Sequence, residues 1–224
     1  MKVAAVSDHP DPGFHLDAER RALEWLAGTG IPAPAVEEYG SGCGVEWLVT
    51  RTVAGRSAAD EWPEASRASV LRAVAEVARA LHAVPVGSCP LDRRLVTRLA
   101  QIRTAPVDLA DLDDRWRGWS AARLRAEAER TRPGFEDLAV CHGDLCLPNV
   151  LLDPATMDVT GLVDVARLGV ADRYTDLALA VRSIGAGANP QYGASYVDRF
   201  LRWYGGVSRD DPRIGYYQLL DEFC

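Results

Sequence analysis

The sequence has no CxxC pair, and its five cysteines (Cys43, Cys89, Cys141, Cys146 and Cys224) are an odd number. Both facts argue against a disulfide framework or a zinc site and fit a reducing, cytoplasmic setting. No run approaches the ~18 apolar residues that a membrane helix needs, so no membrane partner is expected. The opening MKVAAVSDHPDPGF holds only a short, weakly apolar run before acids and prolines, too short for a signal peptide. No internal repeat or low-complexity tract occurs. Basic residues are outnumbered: Lys+Arg total 25 against 32 Asp+Glu, a formal charge of −7. Such a chain repels nucleic-acid phosphate, so no nucleic-acid partner is expected. A cationic ligand is favoured if the acids cluster; if they do not, the charge serves solubility alone.

What is present suits one sizeable core, or a large lobe with a smaller one attached: 224 residues, 48% of them hydrophobic. Residues 2–6 read as a short strand and 7–13 as a loop with two prolines and a glycine. The apolar stripe Leu16, Ala22, Leu23, Trp25 and Leu26 predicts a helix over 16–28, ending at Gly28. Strands are expected near 35–39 and 45–53 around a turn at 41–44. The clearest helix spans 66–83, where Val70, Val74, Val77, Ala78 and Leu81 recur at helical spacing. Helices are also expected over 95–105 and 119–131, with an acidic, poorly periodic stretch between them. Short apolar runs at 138–141, 150–152 and 159–163 read as strands. Helices return at 176–184, 195–204 and in the last stretch, PRIGYYQLLDEF. The order predicts an α+β fold: a small strand-bearing lobe over 1–53, a hinge near 51–57, and a mostly helical lobe over 54–224.

Residues 141–149 read Cys-His-Gly-Asp-Leu-Cys-Leu-Pro-Asn. A carboxylate with an amide five positions later, on a loop between apolar runs, has a specific use. Asp144 can accept or orient a hydroxyl proton, and Asn149 can reach a metal ion beside it. Fifteen residues further on, Asp164 closes an apolar run and can hold Mg²⁺ bridging phosphates. Hard oxygen ligands of this kind are what Mg²⁺ prefers, and phosphoryl transfer then needs little beyond alignment and charge neutralisation. Taken singly, each residue has a bland use as a loop cap or backbone anchor. In this order and spacing they are a strong signal, one that marks a superfamily rather than one substrate.

The stretch CHGDLCLPNVLLD…GLVDVARLGVADRYTDLALAVRSI and the ending YYQLLDEFC resemble the aminoglycoside 3'-phosphotransferase family, in particular its actinomycete members. GIPAPAV, WLVTRTVAG, EWPE, ALH and DLDD extend the likeness over nearly the whole chain. The resemblance implies a protein-kinase-like two-lobe fold, ATP and Mg²⁺ as cofactors, and phosphorylation of an aminoglycoside hydroxyl (3'-type) that confers resistance. It implies that Asp144 is the catalytic Asp and that Asn149 and Asp164 bind Mg²⁺. Lys2 falls where the phosphate-binding lysine should, Glu19 matches its salt-bridge partner, and the backbone of 51–53, with Arg51 and Val53, meets the adenine. Asp111, Asp113 and Asp114 on the acidic loop, with Asp221, Glu222 and Cys224 at the end of the chain, match positions that line the aminoglycoside pocket. Arg167 and Arg182 match positions near the active site; the alternative for both is a structural ion pair with Asp172 or Asp176.

The sequence also departs from the family. Similar enzymes begin several tens of residues earlier, with two strands and a loop over the phosphates. The expectation is therefore a truncated small lobe with an open sheet edge, and a chain that is weakly active or inactive and prone to aggregate. Ala166 stands where relatives carry glycine, and its methyl group is expected to restrict the metal loop. Two other readings remain open: a related kinase with another cationic substrate, and a truncated pseudokinase that binds nucleotide without transfer.

Overall fold

The computed structural model describes residues 1–185, 187 and 189–224. Strands β1 (Lys2–Ala5), β2 (Val36–Gly42) and β3 (Val45–Thr50) form an antiparallel sheet in the order β1-β3-β2. The expected four-residue turn narrows to Cys43 and Gly44, which both take left-handed φ values of 53° and 79°. Two residues with positive φ twist the backbone the way the flanking strands twist, so β2 and β3 pair up to the turn. Helix α1 (Leu16–Leu26) lays Ala22, Leu23 and Leu26 against this sheet. It stops two residues before Gly28, because the backbone N–H and the hydroxyl of Thr29 both donate to the Leu26 carbonyl and close the last turn.

Residues 51–55 lead without regular structure from this small unit into β4 (Arg56–Ser57). That strand joins β6 (Val150–Leu152) and β7 (Val159–Leu162) in a second sheet, while β5 (Leu138–Cys141) pairs with β8 (Gly169–Asp172). Neither β4 nor β8 was expected: each is too short for alternation to register, and each forms because a partner strand satisfies its backbone.

The rest is helical: α2 (Glu64–His82), α3 (Leu95–Ile102), α4 (Ala121–Arg130), α5 (Tyr174–Gly185), α6 (Ala194–Tyr204) and α7 (Pro212–Asp221). Helix α2 buries Val70, Leu71, Val74, Ala78 and Leu81 on one stripe and packs on α6; α5 packs on α6 and α7. Side chains set several ends. The Ser120 hydroxyl accepts from Arg123 N–H (3.3 Å) and starts α4; Asp211 accepts from Arg213 N–H (2.9 Å), with Pro212 in the first turn of α7. Helix α3 ends earlier than expected because the Arg125 guanidinium takes the Ile102 and Ala105 carbonyls (2.9 and 2.7 Å).

The core runs through this helical part, with Trp62, Leu71, Leu81, Leu124, Leu145, Leu147, Phe200 and Phe223 fully buried. The result is an α+β, protein-kinase-like two-lobe architecture, sheet-bearing at the front and mostly helical behind. No helix among the described residues is long and apolar enough to cross a membrane.

Candidate active site

The segment 142–149 is held in place by alternate anchors. Leu145 and Leu147 plug into the core and leave Asp144 part-exposed between the lobes. Beneath the loop sits Asp176, fully buried on α5. Its carboxylate accepts the N–H groups of His142 (2.7 Å) and Gly143 (2.8 Å), and His82 Nε2 lies 2.9 Å away. Burial alone would raise the Asp176 pKa, but His82 and these donors outweigh it and hold the carboxyl below its ordinary value. Gly143 has φ 84°, and a Cβ there would stand 2.3 Å from the Arg167 carbonyl oxygen, so only glycine fits this bend.

Asn149 Nδ2 donates to the Asp144 carbonyl (2.9 Å) and to its carboxylate (3.1 Å), which leaves the Asn149 amide oxygen free of both bonds. Pairing of Val150 with Leu162 and a bond from Val163 N–H to the Asn149 carbonyl (3.0 Å) put Asn149 and Asp164 at the same end of the β6–β7 hairpin. His142 Nε2 lies 3.0 Å from the Val163 carbonyl and ties the loop to that end. Asp164 itself takes a left-handed φ of 57°. The conformational demand expected at Ala166 therefore falls on Asp164, and the Ala166 methyl is accommodated. The three residues singled out in the sequence thus converge, and they offer the all-oxygen donor set that suits Mg²⁺. Burial and the charge of Asp144 push the nearby Cys146 thiol up to about 12, so it stays protonated beside the carboxylate.

Lys2 reaches across from β1. Its ammonium bonds both Glu19 oxygens (2.7 and 2.8 Å) and contacts the Asp164 carboxylate. Partial burial would lower the Lys2 pKa, but Asp164 and Glu19 outweigh it and raise it. Lys2, Glu19, Asp144, Asp164, Gly13 and Arg167 line a cavity of about 310 Å³. Arg51 is exposed on the connecting segment, paired with Glu37 at 3.3 Å, and its N–H already donates to the Ala35 carbonyl. Thr52 and Val53 make no backbone hydrogen bond among the described residues, and the Val53 side chain lies over Gly161 of β7.

A second cavity, of about 470 Å³, opens on the other side of Asp144. Asp108, Asp111, Asp113, Asp221, Glu222 and Cys224 line it together with Arg167 and Arg182. Asp113 N–H donates to Glu222 (3.1 Å) and joins the irregular loop to the end of α7. Asp114 does not join them: it points to solvent and pairs with Arg117. The two arginines do form ion pairs, but not with Asp172 or Asp176. Arg182 contacts Asp221 and lies 3.4 Å from Glu222; Arg167 donates to Asp11 (2.8 Å) and lies 3.7 Å from Asp221. Asp172 and Asp176 face inward: Asp172 takes Tyr217 and Tyr174 N–H, and Asp176 the N–H groups of His142 and Gly143. The Cys224 thiol contacts Arg98.

Residues 9–217 match the Phosphotransferase enzyme family. The chain is 51% identical over 214 residues to an aminoglycoside 3'-phosphotransferase of Streptomyces fradiae, a match covering 94% of this chain and 80% of the relative. The chain belongs to the aminoglycoside 3'-phosphotransferase family. It is 36% identical over 222 residues to a streptomycin 3''-kinase of Streptomyces griseus, covering 92% of this chain and 79% of that one. A solved aminoglycoside-3'-phosphotransferase of type VIII superposes with a TM-score of 0.92 at 48% identity, over 100% of this chain and 84% of its own. A Streptomyces rimosus aminoglycoside phosphotransferase, APH(3'')-Id, solved with ADP and streptomycin, superposes with a TM-score of 0.83 at 31% identity, over 99% of this chain and 85% of its own.

Three residues of this phosphotransferase were given no site role by the sequence. Asp108 precedes the DLDD run and looked like more of the same acidic loop. Asp176 and Asp11 read as a helix-end residue and a turn residue.

Proposed function

We propose that this phosphotransferase moves the γ-phosphoryl group of ATP to a hydroxyl of an aminoglycoside antibiotic, at a 3'-type position, and so confers resistance. The observation that carries the reading is that Asp144 stands in the wall of both cavities, one holding Lys2 and Arg167 among carboxylates, the other rich in acids. Residues 1–53 form the nucleotide side, with the hinge at 51–55, and 54–224 supply the catalytic loop and the drug surface. The backbone of 51–53 would take the adenine, and Lys2, held by Glu19, would contact the phosphates. Asn149 and Asp164 would hold Mg²⁺, which supplies neutralising charge to the phosphates when bound.

Asp144 orients the sugar hydroxyl and accepts its proton as the oxygen bonds to the γ-phosphorus. The bond from that phosphorus to the β–γ bridging oxygen breaks, and the nucleoside diphosphate leaves with the electron pair. Catalysis of this type is positioning plus electrostatics. Asp111, Asp113, Asp221 and Glu222 would receive the amino groups of the drug, Asp221 and Glu222 at the cost of displacing or sharing an arginine. The relatives' names, including a complex with ADP and streptomycin, fit this assignment.

A coupled assay with kanamycin or neomycin tests the proposal. ATP-dependent phosphorylation of the drug, lost in Asp144→Ala, is expected. Phosphorylation of a choline-like base but of no aminoglycoside would move the chain to a sister activity; tight Mg²⁺-ATP binding without any transfer would make it a pseudokinase.

A further inference from the structure

Asp11 lies in the loop between β1 and α1, has no role in the scheme above, and is completely buried. Both of its carboxylate oxygens are used. Oδ1 accepts from Gly13 N–H (2.7 Å) and from Arg167 Nε (2.8 Å), and Oδ2 meets the Arg98 guanidinium. Burial would raise the Asp11 pKa, but Arg167 and Arg98 outweigh it and hold the carboxyl well below the usual carboxylate range.

Arg167 is the residue this carboxylate serves. Of the side chains that line the two cavities, only Asp144 and Arg167 line both. Two glycines clear room for Arg167. A Cβ on Gly13 would stand 2.9 Å from Arg167 Nε and 2.8 Å from Asp11 Oδ1, and a Cβ on Gly143 would stand 2.7 Å from Arg167 Cβ. The arginine is therefore clamped between the segment that follows the Lys2 strand and the loop that carries Asp144. A guanidinium stays charged at any working pH and offers several donors in a fixed plane. At the seam between the two cavities it faces the path along which the phosphoryl group travels.

We propose that Asp11 is a positioning residue for phosphoryl transfer: its buried carboxylate fixes the Arg167 guanidinium at the wall the two cavities share. The inference rests on the phosphotransferase reading above and deepens it. Without Asp11, Arg167 keeps only its long contact with Asp221 at 3.7 Å and can swing toward the acidic cavity.

Three variants of the full chain test this: Asp11→Asn, Asp11→Glu and Gly13→Ala. The last removes no charge and wedges a methyl group between the carboxylate and Arg167. Steady-state transfer is measured below each variant's Tm, with kcat and KM separated. Asp11→Asn is expected to lower kcat about 100-fold, the scale of one lost preorganised donor, with the KM for Mg²⁺-ATP within about twofold of the parent. Gly13→Ala is expected to lower kcat about tenfold at parental Tm, because small misplacements of a catalytic cation are costly. Asp11→Glu is expected to recover part of the Asp11→Asn loss. If Asp11→Asn does not fold, Gly13→Ala decides by itself. A kcat within about twofold of the parent in the folded variants overturns the positioning role, on the same scale of donor loss. A parent that hydrolyses ATP but phosphorylates no aminoglycoside overturns the substrate reading alone, and the same kcat comparison is then made on hydrolysis. A parent inactive in both overturns both.

Discussion

The cavity around Lys2 and Asp164 draws its charges from one hairpin end, the first strand and the first helix, whereas the acidic cavity collects Asp108, Asp111 and Asp113 from an irregular loop and Asp221 and Glu222 from the end of α7. In the first, Lys2 answers Glu19 and Asp164 directly. In the second, acids outnumber arginines, and the structure meets the repulsion by threading Arg167 and Arg182 among them. The contrast separates two design problems. A phosphate site needs a few groups at fixed positions, so a short motif can encode it. A polyamine site needs unpaired negative charge, which is costly until the ligand arrives, so the acids come from two distant segments, 108–113 and the end of α7, with arginines set among them.

That comparison can be broken from either side, and the largest effect is expected at Asp144, one of the two residues common to both. Asp144→Ala should lower kcat by about 10² to 10⁴, the usual worth of a positioned base, while binding of nucleotide and drug, read by calorimetry, persists. Loss of either binding event along with turnover would mean that Asp144 holds the fold rather than the hydroxyl. Next comes Asp176, whose removal strands two backbone N–H groups and His82. Asp176→Ala should cost about 3 to 5 kcal/mol in urea unfolding, as when one partner of a buried charged network is lost. A variant as stable as the parent would show that the catalytic loop needs no anchor beneath it.

The acidic cavity should respond in two directions. Asp113→Asn should raise the drug KM about tenfold, roughly the 1.4 kcal/mol worth of a charged hydrogen bond, and leave ATP hydrolysis unchanged. Arg182→Met releases Asp221 and Glu222, so the KM for a polycation should fall about fivefold at low salt, the upper range for a part-exposed ion pair, and the gain should shrink as salt is added. A rise in KM would instead make Arg182 a direct contact to the drug.

The smallest effect concerns acid. Asp11 and Asp176 both have folded-state pKa values below the ordinary carboxylate value. Their contribution to stability is thus fully present above about pH 4 and is lost as pH falls through the folded values. Urea midpoints measured from pH 6 downward should stay flat and then drop below about pH 4, and Asp176→Asn should flatten that drop.

Legibility differed by element in a consistent way. Helix α2 could be read nearly to the residue because burial of one face imprints its period on the chain, and strands β5 and β6 because each is a short apolar run between polar turns. Strands β4 and β8 could not, since each exists only through its partner. At the site, Asp144, Asn149 and Asp164 were legible through spacing, and the β6–β7 hairpin brings the last two together. The acids at 111, 113, 221 and 222 were reached through family likeness, and Asp114, one residue beyond Asp113, turned out to face solvent.

The amino-acid sequence alone determined the helices, the HGDxxxxN loop and the acidic balance, since these depend on neighbours within a few residues. Only the tertiary structure decided which carboxylate meets which cation. Asp11 and Arg167 are separated by 156 positions, and His142 and Asp176 by 34. A buried charge is tolerable only beside a partner, and packing of the whole chain chooses that partner.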